Sequence, residues 1–135
     1  MKQLKNKILC AGMILLYVSS IALFAADDPS IKQPLRGKIQ KSMEKYIKEN
    51  SIDGRFPLYD AVKGKLLWLK LDKLHEGIVK KTDFYVSCAD FHDVAGTYYD
   101  IDFLVTKNGL KIKTVEAVVH KEGKNSEKRK YHLEN

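Results

Sequence analysis

Residues 83–103 combine five aspartates, one cysteine and one histidine with aromatic and branched side chains. Carboxylates, imidazoles and thiols are the groups that bind metal ions, transfer protons and act as nucleophiles. The acidic character of the segment contrasts with the net charge of the whole chain, which is +7. The segment is therefore either a functional site or the solvated, salt-bridged face of a β-sheet.

Asp100 and Asp102 form the pair of carboxylates with the clearest spacing. Side chains two residues apart on a strand share a face and lie about 7 Å apart. One hard cation can join them if further oxygens take part, and Asp90 is a candidate donor. Lys111 and Lys113 of the next predicted strand offer neutralisation without a metal. The pattern favours a solvated face, with a divalent metal site and recognition of a partner as the alternatives.

The histidines and the cysteine add three candidate groups. A β-bulge near Thr114 would bring His120 to the face of Asp100, as a proton-transfer partner or a second ligand of a transition metal. His75 is predicted at a turn, distant from both. Cys88 is the one cysteine beyond the N-terminal segment, so no internal disulfide is expected. It is expected to behave as a small buried hydrophobe, with a thiol function as the alternative.

The N-terminal segment has the plan of a secretory signal peptide. Met1–Lys7 contains three lysines and no acid, Ile8–Phe24 is almost wholly apolar, and two alanines follow. Loss of those lysines lowers the net charge from +7 to +4. The apolar run is short for a membrane span, which needs about 20 residues. We expect an exported protein, periplasmic or extracellular, with no membrane span after signal cleavage; an uncleaved signal anchor is the alternative.

We predict that the chain of 135 residues divides into a signal peptide over 1–25, a flexible lead-in over 26–33 and a single α+β domain over 34–135. Apolar residues recur at spacings of three and four after Pro34, which indicates an amphipathic helix that stops near Asn50. The residues of this apolar stripe are Leu35, Ile39, Met43, Tyr46 and Ile47.

Alternating apolar and polar residues predict strands over 65–74, 78–91, 98–105 and 110–120, with a last short strand near 128–133. Glu76 and Gly77 are interpreted as a turn, residues 54–65 as an irregular link, and Asn108-Gly109 as a tight hairpin turn. The fold predicted is one N-terminal amphipathic helix packed on a four- to five-stranded antiparallel meander sheet.

The predicted register of the central hairpin decides which side chains are exposed. A turn at Val94-Ala95 places Cys88 opposite Ile101 on the apolar face. Asp100 and Asp102 then lie together on the exposed face.

Residues 59–131 resemble a group of small exported bacterial proteins of uncharacterised function. The group shares a tryptophan strand that ends in histidine, a Cys-Ala-Asp-Phe strand end, a Tyr-Asp-x-Asp-Phe strand and a His-Lys-x-x-Gly turn before a tyrosine. The matching positions are Trp68, His75, Cys88, Asp90, Phe91, Gly96, Tyr99, Asp100, Asp102, Phe103, His120, Lys121, Gly123 and Tyr131. The stretch NSEKRK lengthens the link before the tyrosine, and the resemblance implies no activity.

The sequence favours a non-catalytic exported binding domain over an enzyme, because no phosphate loop, paired cysteine motif or nucleophile elbow is present. Its partner would be a protein, an envelope component or a small ligand, and nucleic acid is not expected. Tyr85, Tyr98, Asp100 and Asp102 would supply the contacts. The alternative is a metal-dependent site built from Asp90, Asp100, Asp102 and His120. Such a site would be hydrolytic if the metal acidified a bound water. Otherwise no cofactor is expected.

Overall fold

The computed structural model describes residues 27–130, which form one helix and five strands. The elements are α1 (Leu35–Asn50), β1 (Phe56–Asp60), β2 (Lys65–Lys80), β3 (Phe84–His92), β4 (Tyr98–Asn108) and β5 (Lys111–Glu122). Each strand pairs antiparallel with the next, in the order β1-β2-β3-β4-β5. The predicted α+β class, a helix on an antiparallel meander, is confirmed. The predicted signal peptide and the end of the predicted last strand, 131–133, lie outside the described residues.

Helix α1 covers one face of the sheet. It follows Pro34 and ends at Asn50, as predicted, and its stripe of Ile39, Met43 and Ile47 is buried. The helix packs mainly on β5, with further contacts to β1 and β4. The buried side chains that β4 contributes to this core are Tyr99, Ile101, Phe103 and Val105. Among the described residues, no helix is both long enough and apolar enough to span a membrane.

The segment before the helix is tied to β2. The backbone N–H of Asp28 donates to the carbonyl of Ile78 (2.8 Å), and the N–H of Ile78 donates to the Asp27 carboxylate (3.0 Å). Ile31 is buried in the core. These contacts tether residues 27–31 to the sheet.

Two of the predicted strand boundaries are wrong. The turn expected at Glu76-Gly77 does not form, because β2 continues to Lys80 and accommodates these residues in a bulge. The irregular link expected over 54–65 contains β1, which pairs with β2. Pro57 is tolerated there because an edge strand needs ladder hydrogen bonds on one side only.

The hairpin between β4 and β5 is confirmed. Asn108 pairs with Lys111, and Gly109, with φ 57°, occupies the tight loop between them. The predicted bulge near Thr114 is also confirmed, since Thr114 and Glu116 pair with consecutive residues of β4. The N–H of Thr114 at this bulge donates to the Ser42 hydroxyl of α1 (2.8 Å).

The predicted register between β3 and β4 is wrong by one residue. Cys88 pairs with Asp102, whereas Ala89 pairs with Ile101. The reason is the connecting loop, which has five residues because the Asp93 carboxylate accepts hydrogen bonds from the N–H groups of Ala95 and Thr97. Cys88 therefore lies on the sheet face opposite the helix.

Candidate metal site

The sheet face opposite the helix holds a cluster of polar side chains. Its members, called the polar cluster below, are His75, Cys88, Asp90, Tyr98, Asp100, Asp102 and His120. The centre of the polar cluster follows from the β3–β4 register, in which Cys88 faces Asp102 and Asp90 faces Asp100 across the two strands. Because alternate residues of a strand share a face, all four side chains point to the same side of the sheet.

Both histidines of the polar cluster lie at bulges in the flanking strands. In β5, Val119 and Lys121 pair with consecutive residues of β4, so His120 is the extra residue of a bulge. In β2, residues 75–77 lie between the pairs that Leu74 and Ile78 make with β3. A bulge changes the direction of the side chain that it carries. The bulges thus turn both imidazoles toward the carboxylates and the thiol.

The inner part of the polar cluster consists of Asp100, Asp102 and His120. His120 Nδ1 lies 2.9 Å from Asp102 Oδ1 and 3.8 Å from Asp100 Oδ2. The expected proximity of His120 to Asp100 is therefore confirmed. The expectation of a solvated pair of aspartates is wrong, because Asp100 is 7% exposed and Asp102 is 1% exposed. They lie on the predicted side of the sheet, but the other side chains of the polar cluster surround them.

The two lysines expected to neutralise these aspartates are too far along the sheet. Lys111 pairs with Asn108 and Lys113 with Thr106, whereas Asp100 faces Lys121 across the strands. The Asn108-Gly109 turn places both lysines at the hairpin end of β5, several residues from Asp100 and Asp102, so the predicted cross-strand ion pairs do not form.

Asp100 has an incomplete set of partners. Its Oδ1 atom is buried and has no hydrogen-bond partner. Burial raises the pKa of Asp100 above the ordinary value of 3.8, a rise that nearby His75 opposes and Asp102 reinforces. A buried carboxylate with an unsatisfied oxygen costs free energy, so this side chain is poised to accept a cation or a proton.

The outer part of the polar cluster is a hydrogen-bonded chain. Cys88 Sγ lies 3.2 Å from His75 Nδ1, and His75 Nε2 lies 2.7 Å from Asp90 Oδ1. The Tyr98 hydroxyl donates to the same Asp90 oxygen at 2.7 Å. Burial, followed by this hydrogen bond, raises the pKa of Tyr98, which keeps the phenol protonated as a donor. With Nε2 donating to Asp90, the lone pair of Nδ1 faces the thiol.

A thiol, an imidazole and a carboxylate in this order resemble the activated nucleophile of cysteine hydrolases. The setting opposes that use. Cys88 is 5% exposed, and the neighbouring carboxylates of Asp100 and Asp102 disfavour a thiolate unless a cation is present. A metal ion would supply that cation, so coordination fits the surroundings better than nucleophilic attack.

The donor atoms form two groups of metal-ligating size. Asp100, Asp102 and His120 make one group, and His75, Cys88 and Asp100 make the other. Within each group, one donor atom per residue lies within 4.8 Å of the others. Asp90, predicted as a ligand, belongs to neither; its Oδ1 instead accepts hydrogen bonds from His75 and Tyr98.

Other predicted site residues separate. Tyr85 pairs with Val105 and packs against the helix-side core, so it lies on the sheet face opposite Tyr98. Tyr98 is half-buried against Asp90. The four residues predicted as a partner surface, Tyr85, Tyr98, Asp100 and Asp102, therefore do not form one exposed patch.

His75 is the member that sequence reasoning misplaced. It was expected to be distant, and it contacts Cys88 and Asp90. Gly77 carried the usable signal, because a glycine inside a strand pattern often marks a bulge rather than a turn.

A scan against protein-family models, a search of curated proteins and a search of solved structures each found no match to this chain.

Proposed function

We propose that this protein is an exported, non-catalytic domain that binds a divalent transition-metal ion through Asp100, Asp102 and His120. The observation that carries the proposal is the buried Asp100 Oδ1 atom, which lacks a hydrogen-bond partner beside a second carboxylate and an imidazole. A bound cation would satisfy this oxygen and offset the two negative charges. Export is supported by the signal-like pattern of residues 1–25.

The donor set favours zinc-like ions over calcium or magnesium. One imidazole and two carboxylates suit Zn²⁺, Co²⁺ and related ions. Calcium requires about six to eight oxygen ligands, and this group offers two carboxylates with one nitrogen. The sequence expectation of a hard-cation site between two aspartates is therefore replaced by a nitrogen- and oxygen-ligated site.

Burial favours binding over hydrolysis. A catalytic metal keeps a position open to water and substrate, whereas a structural or carried metal is enclosed by its ligands. Side-chain exposure is 2% for Asp102 and 6% for His120, so the inner donors are enclosed. The His75 and Asp90 side chains, 19% and 25% exposed, form the more open end of the polar cluster.

The test is a metal titration of the purified protein after treatment with EDTA. We expect Zn²⁺ or Co²⁺ to raise the melting temperature. The expected gain in unfolding free energy is about 2.7 kcal/mol when the free metal concentration is about 100 times Kd. Calcium and magnesium should have little effect. Asp102→Asn should abolish the response, with its fold checked by circular dichroism in EDTA.

Asp72→Asn is the matched control. Asp72 Oδ1 lies 2.6 Å from His92 Nδ1 in an exposed pair, so this variant removes a carboxylate from a His–Asp pair outside the polar cluster. Its metal response should equal that of the unmodified protein. A melting temperature that no transition metal changes, or an unchanged response in Asp102→Asn, would overturn the proposal.

A further inference from the structure

Two members of the second donor group of the polar cluster, His75 and Cys88, are not used by the proposed single site. This group consists of the His75 imidazole, the Cys88 thiol and the Asp100 carboxylate, whose donor atoms lie within 4.8 Å of one another. Imidazole and thiolate are strong ligands of thiophilic ions such as Zn²⁺. Asp100 belongs to both groups, and its Oδ1 atom is the buried oxygen without a partner.

The donor atoms of the two groups, taken together, are too far apart to bind one ion. Metal–ligand distances of about 2.0–2.3 Å limit the donors of a single zinc ion to separations of roughly 4.6 Å or less. The five donor residues do not form one group, because only Asp100 is shared. A carboxylate has two oxygens, so it can bridge two ions, as in two-metal sites with ions about 3.5–4 Å apart.

The charges of the polar cluster match two divalent ions. Asp100, Asp102 and a Cys88 thiolate carry three negative charges, and Asp90, hydrogen-bonded to His75, carries the fourth. One divalent ion neutralises Asp100 and Asp102. A second ion neutralises the Cys88 thiolate and the Asp90 carboxylate, so the polar cluster retains no net charge.

The hydrogen bonds orient the second group as a ligand set. His75 Nε2 donates to Asp90 at 2.7 Å, an arrangement that fixes the ring and leaves Nδ1 to coordinate a metal. Nδ1 faces Cys88 Sγ at 3.2 Å. An entering ion would take the place of the proton between them; the sulfur–metal bond forms as the S–H bond breaks, and the proton leaves to solvent.

We infer that the polar cluster holds two thiophilic divalent ions side by side, one on Asp102 and His120 and one on His75 and Cys88, bridged by Asp100. This inference rests on the proposed function, since it adds a second position to the same site. It also names the metal class: the thiolate selects Zn²⁺, Co²⁺ or Cd²⁺ over calcium, magnesium and other hard ions.

The experiment counts bound metal by native mass spectrometry during Zn²⁺ titration and records near-ultraviolet absorption during Co²⁺ titration. We expect two ions in the purified protein and one in Cys88→Ser. The Co²⁺ form should show a thiolate-to-metal charge-transfer band that Cys88→Ser lacks. Asp72→Asn should still bind two ions, which excludes the exposed His92–Asp72 pair as the second position.

The outcomes separate the two proposals. One ion without a thiolate band overturns the second position and leaves the Asp100–Asp102–His120 site intact. One ion with a thiolate band also overturns it, because a single ion has then recruited the sulfur. No bound metal overturns both proposals. The ion count and the thiolate band of the unmodified protein together decide the matter even if Cys88→Ser does not fold.

Discussion

Asp100 is the residue at which stability and the proposed function oppose each other. Its carboxylate is buried, faces Asp90 across the strands and leaves Oδ1 without a partner. A fold optimised for stability alone would satisfy or remove such a group. The polar cluster therefore has a cost without metal that a bound cation would offset.

We predict that Asp100→Asn stabilises the metal-free protein at neutral pH. Burial raises the pKa of Asp100, so the folded protein holds this proton more tightly than the unfolded chain does. The wild-type stability therefore falls as the pH rises above the ordinary value of 3.8, and the advantage of the variant shrinks on acidification toward that value. Urea denaturation in EDTA across this pH range measures the difference.

The control for this prediction is Asp83→Asn, which removes an exposed aspartate from the turn after β2. It should leave the stability of the protein nearly unchanged. A metal-free Asp100→Asn protein that is less stable than the wild type at neutral pH would contradict the prediction. With saturating Zn²⁺ the order should reverse, because only the wild type gains the full binding energy.

At the scale of elements, side chains of helix α1 donate hydrogen bonds to the β2 bulge. Three carbonyls of the bulge accept hydrogen bonds: that of His75 from Gln40, that of Glu76 from Arg36, and that of Gly77 from the Ser87 hydroxyl. A bulge exposes unpaired carbonyls, and these donors satisfy them. The helix thus helps to hold His75 in place although it packs on the other face.

We predict that Arg36→Ala destabilises the protein by about 2 kcal/mol, since hydrogen bonds that involve a charged group contribute about 1.5–3 kcal/mol. Arg36 donates to the Glu76 carbonyl at 2.6 Å and also pairs with Asp27. Zn²⁺ affinity should fall with every ligand still present, because the bulge that aims His75 is loosened. Urea denaturation and calorimetric titration measure the two effects.

Arg55→Ala is the matched control for Arg36→Ala. The Arg55 side chain donates one long hydrogen bond, 3.5 Å, to the Trp68 carbonyl. Both quantities should stay close to those of the wild type. Equal losses in the two variants would show that the helix–bulge contacts contribute nothing specific.

Local periodicity explains why the helix and the last hairpin could be predicted. The stripe from Leu35 to Ile47 and the Asn108-Gly109 pair act over a few residues, so their patterns survive in the sequence. The confirmed bulge near Thr114 was visible as a slip in alternation. These features bring His120 to Asp100.

The parts that failed depend on hydrogen bonds that the alternation of apolar and polar residues does not encode. The β3 register was ambiguous because Val86 and Cys88 on one face and Ala89 and Phe91 on the other are all buried. Hydrogen bonds that the Asp93 carboxylate accepts from the N–H groups of Ala95 and Thr97 set the loop length, and donors on the helix satisfy two carbonyls of the β2 bulge. Neither set of contacts follows from the apolar periodicity, so the burial of the aspartates and the place of His75 could not be derived.

At the scale of the whole molecule, an ion-pair network links β1 to the far end of the sheet. Arg129 donates to both carboxylate oxygens of Asp60, at 2.6 and 2.8 Å, and to Glu122 at 3.3 Å. Its backbone N–H donates to the His120 carbonyl. Asp60 is 1% exposed. The network joins β1 and β5, the two outer strands of the meander.

We predict that Asp60→Asn destabilises the protein by about 3 kcal/mol at neutral pH, the cost of breaking one partner of a buried pair. The Arg129 hydrogen bonds, opposed by burial, lower the pKa of Asp60 below 3.8. This contribution is complete above 3.8 and is lost as the pH falls through the lower folded-state value. Unfolding curves for wild type and Asp60→Asn should therefore converge on acidification, while those for Asp83→Asn should follow the wild type throughout. A difference that persists unchanged in acid would contradict this assignment.

The donors of the polar cluster come from four successive strands, β2, β3, β4 and β5, with none supplied by the helix. No part of the meander shorter than β2–β5 contains all of these donors, so under the proposed export the unfolded chain would present only scattered ligands. Under the proposed metal binding, the chain would acquire its ions only where it completes its sheet. The trace-metal supply of that compartment, rather than that of the ribosome's surroundings, would then decide which element it carries.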